Sequence, residues 1–296
     1  MKIGVISEAL FKNEQTHTKA CKKIKKIGFD CLDYSIYGGW ATPKEIFSKP
    51  RQEWVNYFKE ERKIIENEGL SVNQTHAVYR SDFDPDHLHE FTPMVVEQLK
   101  KEIEATALLG SKYIVIHPIN LAVLSKNKDR DLEVNIKEFS KLTPTLKEFG
   151  VKNGVEDMFT WDYVRARACA TGCSTDLDMV KYIDAMNDRD AYCACLDTGH
   201  MLIHSIDPAR AVRTLGDRLE VLHVHDNNGL SDQHLPIGFG ITDWKELVKA
   251  LREVNYKGVF SLEIDFEKFA KMGCDAMWKM AEYSYISAKN VLEDID

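Results

Sequence analysis

The run Leu108-Leu109-Gly110-Ser111-Lys112-Tyr113-Ile114-Val115-Ile116-His117-Pro118 carries the signals that decide the fold. A helical pattern over 93–109 stops at Gly110, a residue that ends helices because it accepts left-handed backbone. Four β-forming residues follow, and a histidine stands at their carboxyl end. Outward in both directions the same order recurs. Candidate strands lie at 2–7, 29–34, 71–77, 113–117, 152–157, 192–197, 220–225 and 259–264. Helical patterns occupy 52–68, 93–109, 131–149, 175–186, 208–215, 243–254 and 275–292, with Ser174 or Thr175 as an N-cap and Gly69, Gly110 and Gly150 as stops. Eight βα units predict an α/β protein, a (β/α)8 TIM barrel, although the same periodicity also fits an open doubly wound sheet. No Pro/Gly/Ser-rich linker interrupts the pattern, so residues 1–296 are expected to form a single domain.

Composition narrows the partners. The chain has 296 residues, 44% of them hydrophobic and 29% charged, which excludes collagen-like and disordered classes. Its net charge of −8 is spread in mixed sign, so neither nucleic acid nor an anionic membrane is an expected partner. Seven cysteines, an odd number with no C-x-x-C pair, argue against a disulfide framework or a zinc ribbon and for a reducing cytoplasm. The apolar run at 3–6 is too short for a signal peptide, and no stretch of about 18 apolar residues occurs. A soluble cytoplasmic protein is expected.

Parallel α/β folds collect functional groups at the carboxyl ends of their strands. Those ends carry His76, His117, Glu156, Asp197, His223 with His225, and Glu263. Alternation turns Phe260, Leu262 and Ile264 outward and leaves Ser261, Glu263 and Asp265 toward the axis. It likewise sends Ile114, Ile116, Ala194 and Leu196 outward, with His117 and Asp197 inward. Singly, a strand-end histidine is usually a hydrogen-bonded rim residue and a lone glutamate a salt-bridged one. As a set, Glu156, Asp197, His223 and Glu263 combine three carboxylates with one imidazole. One divalent cation would leave that set near −1, a balance suited to Mn²⁺ first, with Co²⁺, Mg²⁺ or Zn²⁺ as alternatives.

At these residues the chain resembles the xylose-isomerase-like barrel superfamily, which includes sugar epimerases, inositol-pathway isomerases and dehydratases, and the endonuclease IV class. The motifs are G-V-E-D-M with Glu156, L-D-T-G-H with Asp197 and His200, H-V-H-D-N-N-G with His223, D-Q-H with Asp232 and His234, G-F-G-I-T-D-W at 238–244, and L-E-I with Glu263. The run through His117 also resembles the family's entry into its fourth strand, and the likeness spans nearly the whole chain. It implies a metal held by Glu156, Asp197, His223 and Glu263, with His200 on substrate oxygens. His76, His117, Asp232 and His234 resemble the wider ligand set of the three-zinc endonucleases, and are either additional metal ligands or substrate-binding groups. Tagatose and psicose epimerases carry an arginine six positions after the histidine of the seventh strand; Gly229 stands there in this chain.

The chemistry so implied is isomerisation or epimerisation of a sugar. A proton is removed beside a carbonyl, the enediolate is stabilised by the cation, and Glu156 and Glu263 serve as acid and base on opposite faces. The implied partner is a small carbohydrate, in a chain that can also form homo-oligomers. Tyr37, Trp40, Tyr79, Phe83, Phe159, Trp161 and Tyr163 are candidates for a sugar face or lid, and Gly38 and Gly39 for a hinge. The loop 226–244 has Asp226, Asp232 and Asp243 and no Lys or Arg, which favours an unphosphorylated substrate, although Gly229, Gly238 and Gly240 offer amides. Rival readings are a dehydratase acting on an inosose-type cyclic polyol, an abasic-site endonuclease, and a non-catalytic sugar binder. Against the endonuclease stand the lack of basic clusters and residues 1–15, which do not resemble its pattern.

Overall fold

Parallel neighbours in a sheet need a crossover of a dozen or more residues, and the long helical stretches between short apolar runs supply it. A computed structural model describes residues 1–36, 42, 43, 45–78, 88–120 and 128–293, with 88–92 as backbone. Tyr37, Gly38, Gly39, Trp40, Tyr79 and Phe83 lie outside the described residues. The strands are β1 (Ile3–Ile6), β2 (Cys31–Ser35), β3 (Ser71–His76), β4 (Tyr113–Ile116), β5 (Lys152–Glu156), β6 (Phe159–Asp162), β7 (Arg167–Ala170), β8 (Tyr192–Asp197), β9 (Leu219–His223) and β10 (Phe260–Leu262). All except β6 and β7 pair in parallel, in the order β10-β1-β2-β3-β4-β5-β8-β9. Just past β9, Val224 bridges to Leu262: its amide donates to the Ser261 carbonyl at 2.8 Å, and its own carbonyl accepts from the Glu263 amide at 3.0 Å. The circle closes there as a (β/α)8 barrel, and each of the eight candidate strands is one of its staves.

The helices are α1 (Glu8–Lys12), α2 (His17–Ile27), α3 (Arg51–Asn67), α4 (Leu88–Leu108), α5 (Lys128–Ser140), α6 (Thr143–Phe149), α7 (Asp176–Met186), α8 (Thr198–Ile203), α9 (Pro208–Leu215), α10 (Trp244–Glu253), α11 (Phe266–Ala270) and α12 (Cys274–Glu293). Thr175 caps α7 in a reciprocal box with Asp178. The helix expected over 131–149 is two, because Pro144 cannot donate inside a helix and sits in the first turn of α6. α4 begins five residues before Pro93, which it carries inside. The expected loop after β5 contains the antiparallel hairpin β6–β7. None of the seven cysteines forms a disulfide, and six are buried. Among the described residues, no helix is long and apolar enough to cross a membrane.

Side-chain alternation divides the core in two. Ile114, Ile116, Ala194, Leu196 and Leu222 belong to the layer between strands and helices, while Val115, Cys193, Cys195 and Val221 form a separate cluster in the lumen. Gly154 keeps that lumen narrow: a Cβ there would lie 3.3 Å from Cys195 and Val221. Continuing the inward parity toward the carboxyl ends reaches His117 from Val115, Glu156 from Gly154, Asp197 from Cys195 and His223 from Val221. Asp265 departs from its expected inward course: the chain has left the barrel, and the carboxylate caps α11 by accepting from the Lys268 amide at 3.3 Å.

Candidate active site

Above the apolar lumen cluster, the strand ends deliver a layer of buried ionisable groups: Asp33, His76, Glu156, Asp197, His223 and Glu263 are all at most 5% exposed. Burying so many charges is costly unless they are paired or hold a cation. His223 is the hub. Its Nδ1 lies 2.7 Å from Oε1 of Glu156 and 3.2 Å from Oε2 of Glu263, and its Nε2 lies 3.0 Å from Oδ2 of Asp33. Glu156 reaches the other way too, with Oε2 at 2.9 Å from Nε2 of His117 and 3.6 Å from Nε2 of His76.

Asp197 turns to a second group. Its Oδ1 accepts from the His200 amide at 2.8 Å, capping α8, and lies 2.9 Å from Nε2 of His225. Around Asp232 stand three imidazoles: Nε2 of His234 at 2.9 Å, of His225 at 3.6 Å and of His200 at 3.7 Å. His225 and His234 stack with centroids 4.1 Å apart, and His234 also approaches Glu263 at 3.9 Å, which joins the two groups. Thus all nine candidate residues stand at one barrel mouth. Glu156, His223 and Glu263 are in direct contact, whereas Asp197 pairs with His225.

The environments of the carboxylates differ. Burial raises Glu263 to about 7, since His223 and His234 offset desolvation only partly and Glu156 and Asp197 repel its charge. Burial acts on Glu156 as well, but His223 and His117 hold its carboxyl well below the usual range. His200 and His225 likewise keep Asp197 low, against its burial. Among the imidazoles, desolvation is outweighed at His234, which Asp232 and Glu263 push up to about 10, and prevails at His117, which is lowered. Oε2 of Glu263 and Oδ1 of Asp232 are buried without accepting a hydrogen bond, lone pairs free for a cation. Oxygens of Glu156 and Glu263 with Nδ1 of His223 fit a hard or borderline divalent ion, so the donor set suits the implied metal.

Among the described residues, His225, Asp33 and Asp226 are given no role by the sequence reading. His225 sits in H-V-H two positions after His223, so period-two alternation was its signal; it is fully buried, and a Cβ on Gly199 would fall 1.9 Å from its ring. Asp33 shares inward parity with Cys31. Asp226 is fully buried beneath the loop 226–243, where its carboxylate accepts from the amides of Gly238 (3.1 Å), Gly240 (2.9 Å) and Thr242 (3.2 Å) and the hydroxyl of Thr242 (2.8 Å). Of the aromatics after β5, Phe159 packs edge-on against His200 at 5.1 Å, and Tyr163 is 83% exposed.

Comparison with known proteins agrees with this fold. An uncharacterized protein of Methanocaldococcus jannaschii is 30% identical over 271 residues, 89% of this chain and 83% of that one. The D-psicose 3-epimerase of Enterocloster bolteae is 26% identical over 251 residues, 83% and 76% of the two chains. The crystal structure of a D-tagatose 3-epimerase-like protein superposes with a TM-score of 0.73 at 25% identity, covering 99% of each chain. Residues 21–280 match the family described as xylose isomerase-like TIM barrel. With eight parallel staves closing the barrel and residues 21–280 matched, the chain belongs to the xylose isomerase-like TIM barrel family.

Proposed function

We propose that the protein is a metal-dependent isomerase or epimerase of an unphosphorylated sugar or polyol derivative. The observation that carries this reading is the placement of Glu156 and Glu263 on one imidazole, His223, at the carboxyl ends of the barrel strands. Glu156, Asp197, His223 and Glu263 would hold one divalent cation, Mn²⁺ first. Bound there, the cation supplies a Lewis acid for a carbonyl and its neighbouring hydroxyl. Glu156 takes a carbon-bound proton, and Glu263 returns one from the opposite face. His200 is anchored through Nδ1 on the Asp157 carbonyl at 2.6 Å, which commits its Nε2 to the mouth, where Phe159 walls it. Sugar epimerase relatives support the substrate class.

The loop 226–243 supports an uncharged substrate. The amides of Gly238 and Gly240, open to a phosphate on sequence grounds, are taken up by the carboxylate of Asp226. A dianion there would meet an acidic loop with its donors already committed. A second reading, phosphodiester hydrolysis at abasic DNA with further metal ions, is favoured by one observation: His76, His117 and Glu156 form a ligand group of their own, and Asp232 is ringed by histidines.

The test is turnover of protein stripped of metal and then resupplied with Mn²⁺, on free ketoses and aldoses, an inosose, a ketose phosphate and an abasic oligonucleotide. Interconversion of a free sugar, restored by Mn²⁺, is expected. Loss of water from the inosose would instead select the dehydratase chemistry. Full activity without metal, or preference for the phosphate or the oligonucleotide, would overturn the proposal.

A further inference from the structure

A neutral imidazole offers a cation one lone pair, and its other nitrogen carries a proton that needs an acceptor. For His223 the two nitrogens face different surroundings. Nδ1 meets the oxygens of Glu156 and Glu263 at 2.7 and 3.2 Å, while Nε2 meets Oδ2 of Asp33 at 3.0 Å. Asp33 is 1% exposed and comes from β2, across the lumen from β9. Gln74 fixes it, donating from Nε2 to the same Oδ2 at 2.9 Å and to the Leu222 carbonyl at 3.2 Å. Asp33 is therefore tied to the very turn of chain that presents His223.

We propose that Asp33 is a positioning residue: it accepts the Nε2 proton of His223 and thereby leaves Nδ1 as the nitrogen that binds the cation. This rests on the reading of His223 as a metal ligand. Carboxylates that receive the outer N–H of a ligating histidine fix its tautomer and ring orientation, and their loss typically costs about 10–100-fold in metal affinity. The ring gains a second constraint from His76, which stacks on it with centroids 5.5 Å apart at 14°. Packing alone cannot choose between the two nitrogens; the carboxylates at Nδ1 are those proposed to share the cation, which leaves Asp33 at Nε2 as the acceptor that keeps the ring proton.

The experiment uses the full chain with two substitutions, Asp33→Leu and Asp33→Asn, the second preserving an oxygen acceptor and the shape of the side chain. Mn²⁺ affinity is read from free Mn²⁺ by electron paramagnetic resonance, and the Nε2 proton of His223 from nitrogen-15 NMR of metal-free, histidine-labelled protein. Expected are an exchange-protected, downfield Nε2–H in the parent protein, its loss in Asp33→Leu with about 10–100-fold weaker Mn²⁺ binding, and recovery of both in large part by Asp33→Asn. Mn²⁺ binding by folded Asp33→Leu within twofold of the parent, or an Nε2–H unchanged by that substitution, would overturn the inference. A parent protein that binds no Mn²⁺ would overturn the proposed function, and the NMR arm would still decide whether Asp33 holds the proton.

Discussion

Two glutamates in contact with one histidine have come to opposite protonation preferences, and the cause lies in their other neighbours. Glu156 has His117 and His76 beside it, while Glu263 shares its surroundings with the repelling carboxylates of Glu156 and Asp197. Replacing either with glutamine keeps size and one oxygen donor but removes the titratable group. Both Glu156→Gln and Glu263→Gln should therefore lose about 10²-fold or more in turnover, and exchange of the substrate's carbon-bound proton with solvent deuterium should fall with it. Near-normal exchange in either variant would remove that glutamate from the acid–base pair. That these strand-end groups would gather at one mouth was legible in the sequence because inward parity and position at a strand terminus are local properties. The partnership of Asp33 with His223 was not: it joins residues 190 positions apart, and only the closing of the barrel brings them together.

Elements carry the second layer of control, since a ligand is only as fixed as the segment that bears it. Asp226 holds the loop 226–243, and with it Asp232 and His234, through donors from Gly238, Gly240 and Thr242. Asp226→Ala takes the shared acceptor from the amides of Gly238, Gly240 and Thr242 and leaves a void where the buried carboxylate stood, so unfolding in urea should show a loss of about 2 kcal/mol; a change below about 0.5 kcal/mol would mean the loop is held by other contacts. His204 closes α8, the helix that starts at Asp197 and bears His200. Burial lowers His204 to about 4, so the folded protein keeps it neutral while the unfolded chain protonates near 6.5. Its contribution to stability is intact above pH 6.5 and drains away as the pH falls toward 4. His204→Gln cannot protonate, and in chelator its urea midpoint should fall less between pH 7 and 4.5 than the parent's; equal losses would show that other groups govern the acid side. At this scale the eight strands were readable because each βα unit carries its own start, stop and period. The hairpin β6–β7 was not, since its alternation over four residues per strand is too short to stand out from a loop rich in aromatics.

At the scale of the whole molecule, the strand-end layer of candidate ligands and the apolar layers of the barrel differ in what each needs from a cation. The lumen is plugged below the site by Val115, Cys193, Cys195 and Val221, and a continuous apolar layer packs the helices around it. Neither layer includes a proposed ligand, so the chain should fold cooperatively in chelator. The four proposed ligands, in contrast, come from positions 156 to 263 and from the ends of β5, β8, β9 and β10, so the unfolded chain cannot assemble them. A cation that binds the folded state alone stabilises it by about 2.7 kcal/mol at one hundred times its dissociation constant. With the unfolding entropy expected for about 300 residues, that corresponds to a rise of about 4 °C in Tm. Glu263→Gln and His223→Ala should lose most of that rise while still unfolding cooperatively in chelator, because they remove ligands and leave both apolar layers intact. A parent protein whose Tm is unmoved by saturating Mn²⁺ would mean that the strand ends, though gathered at one mouth, do not act together as a metal site.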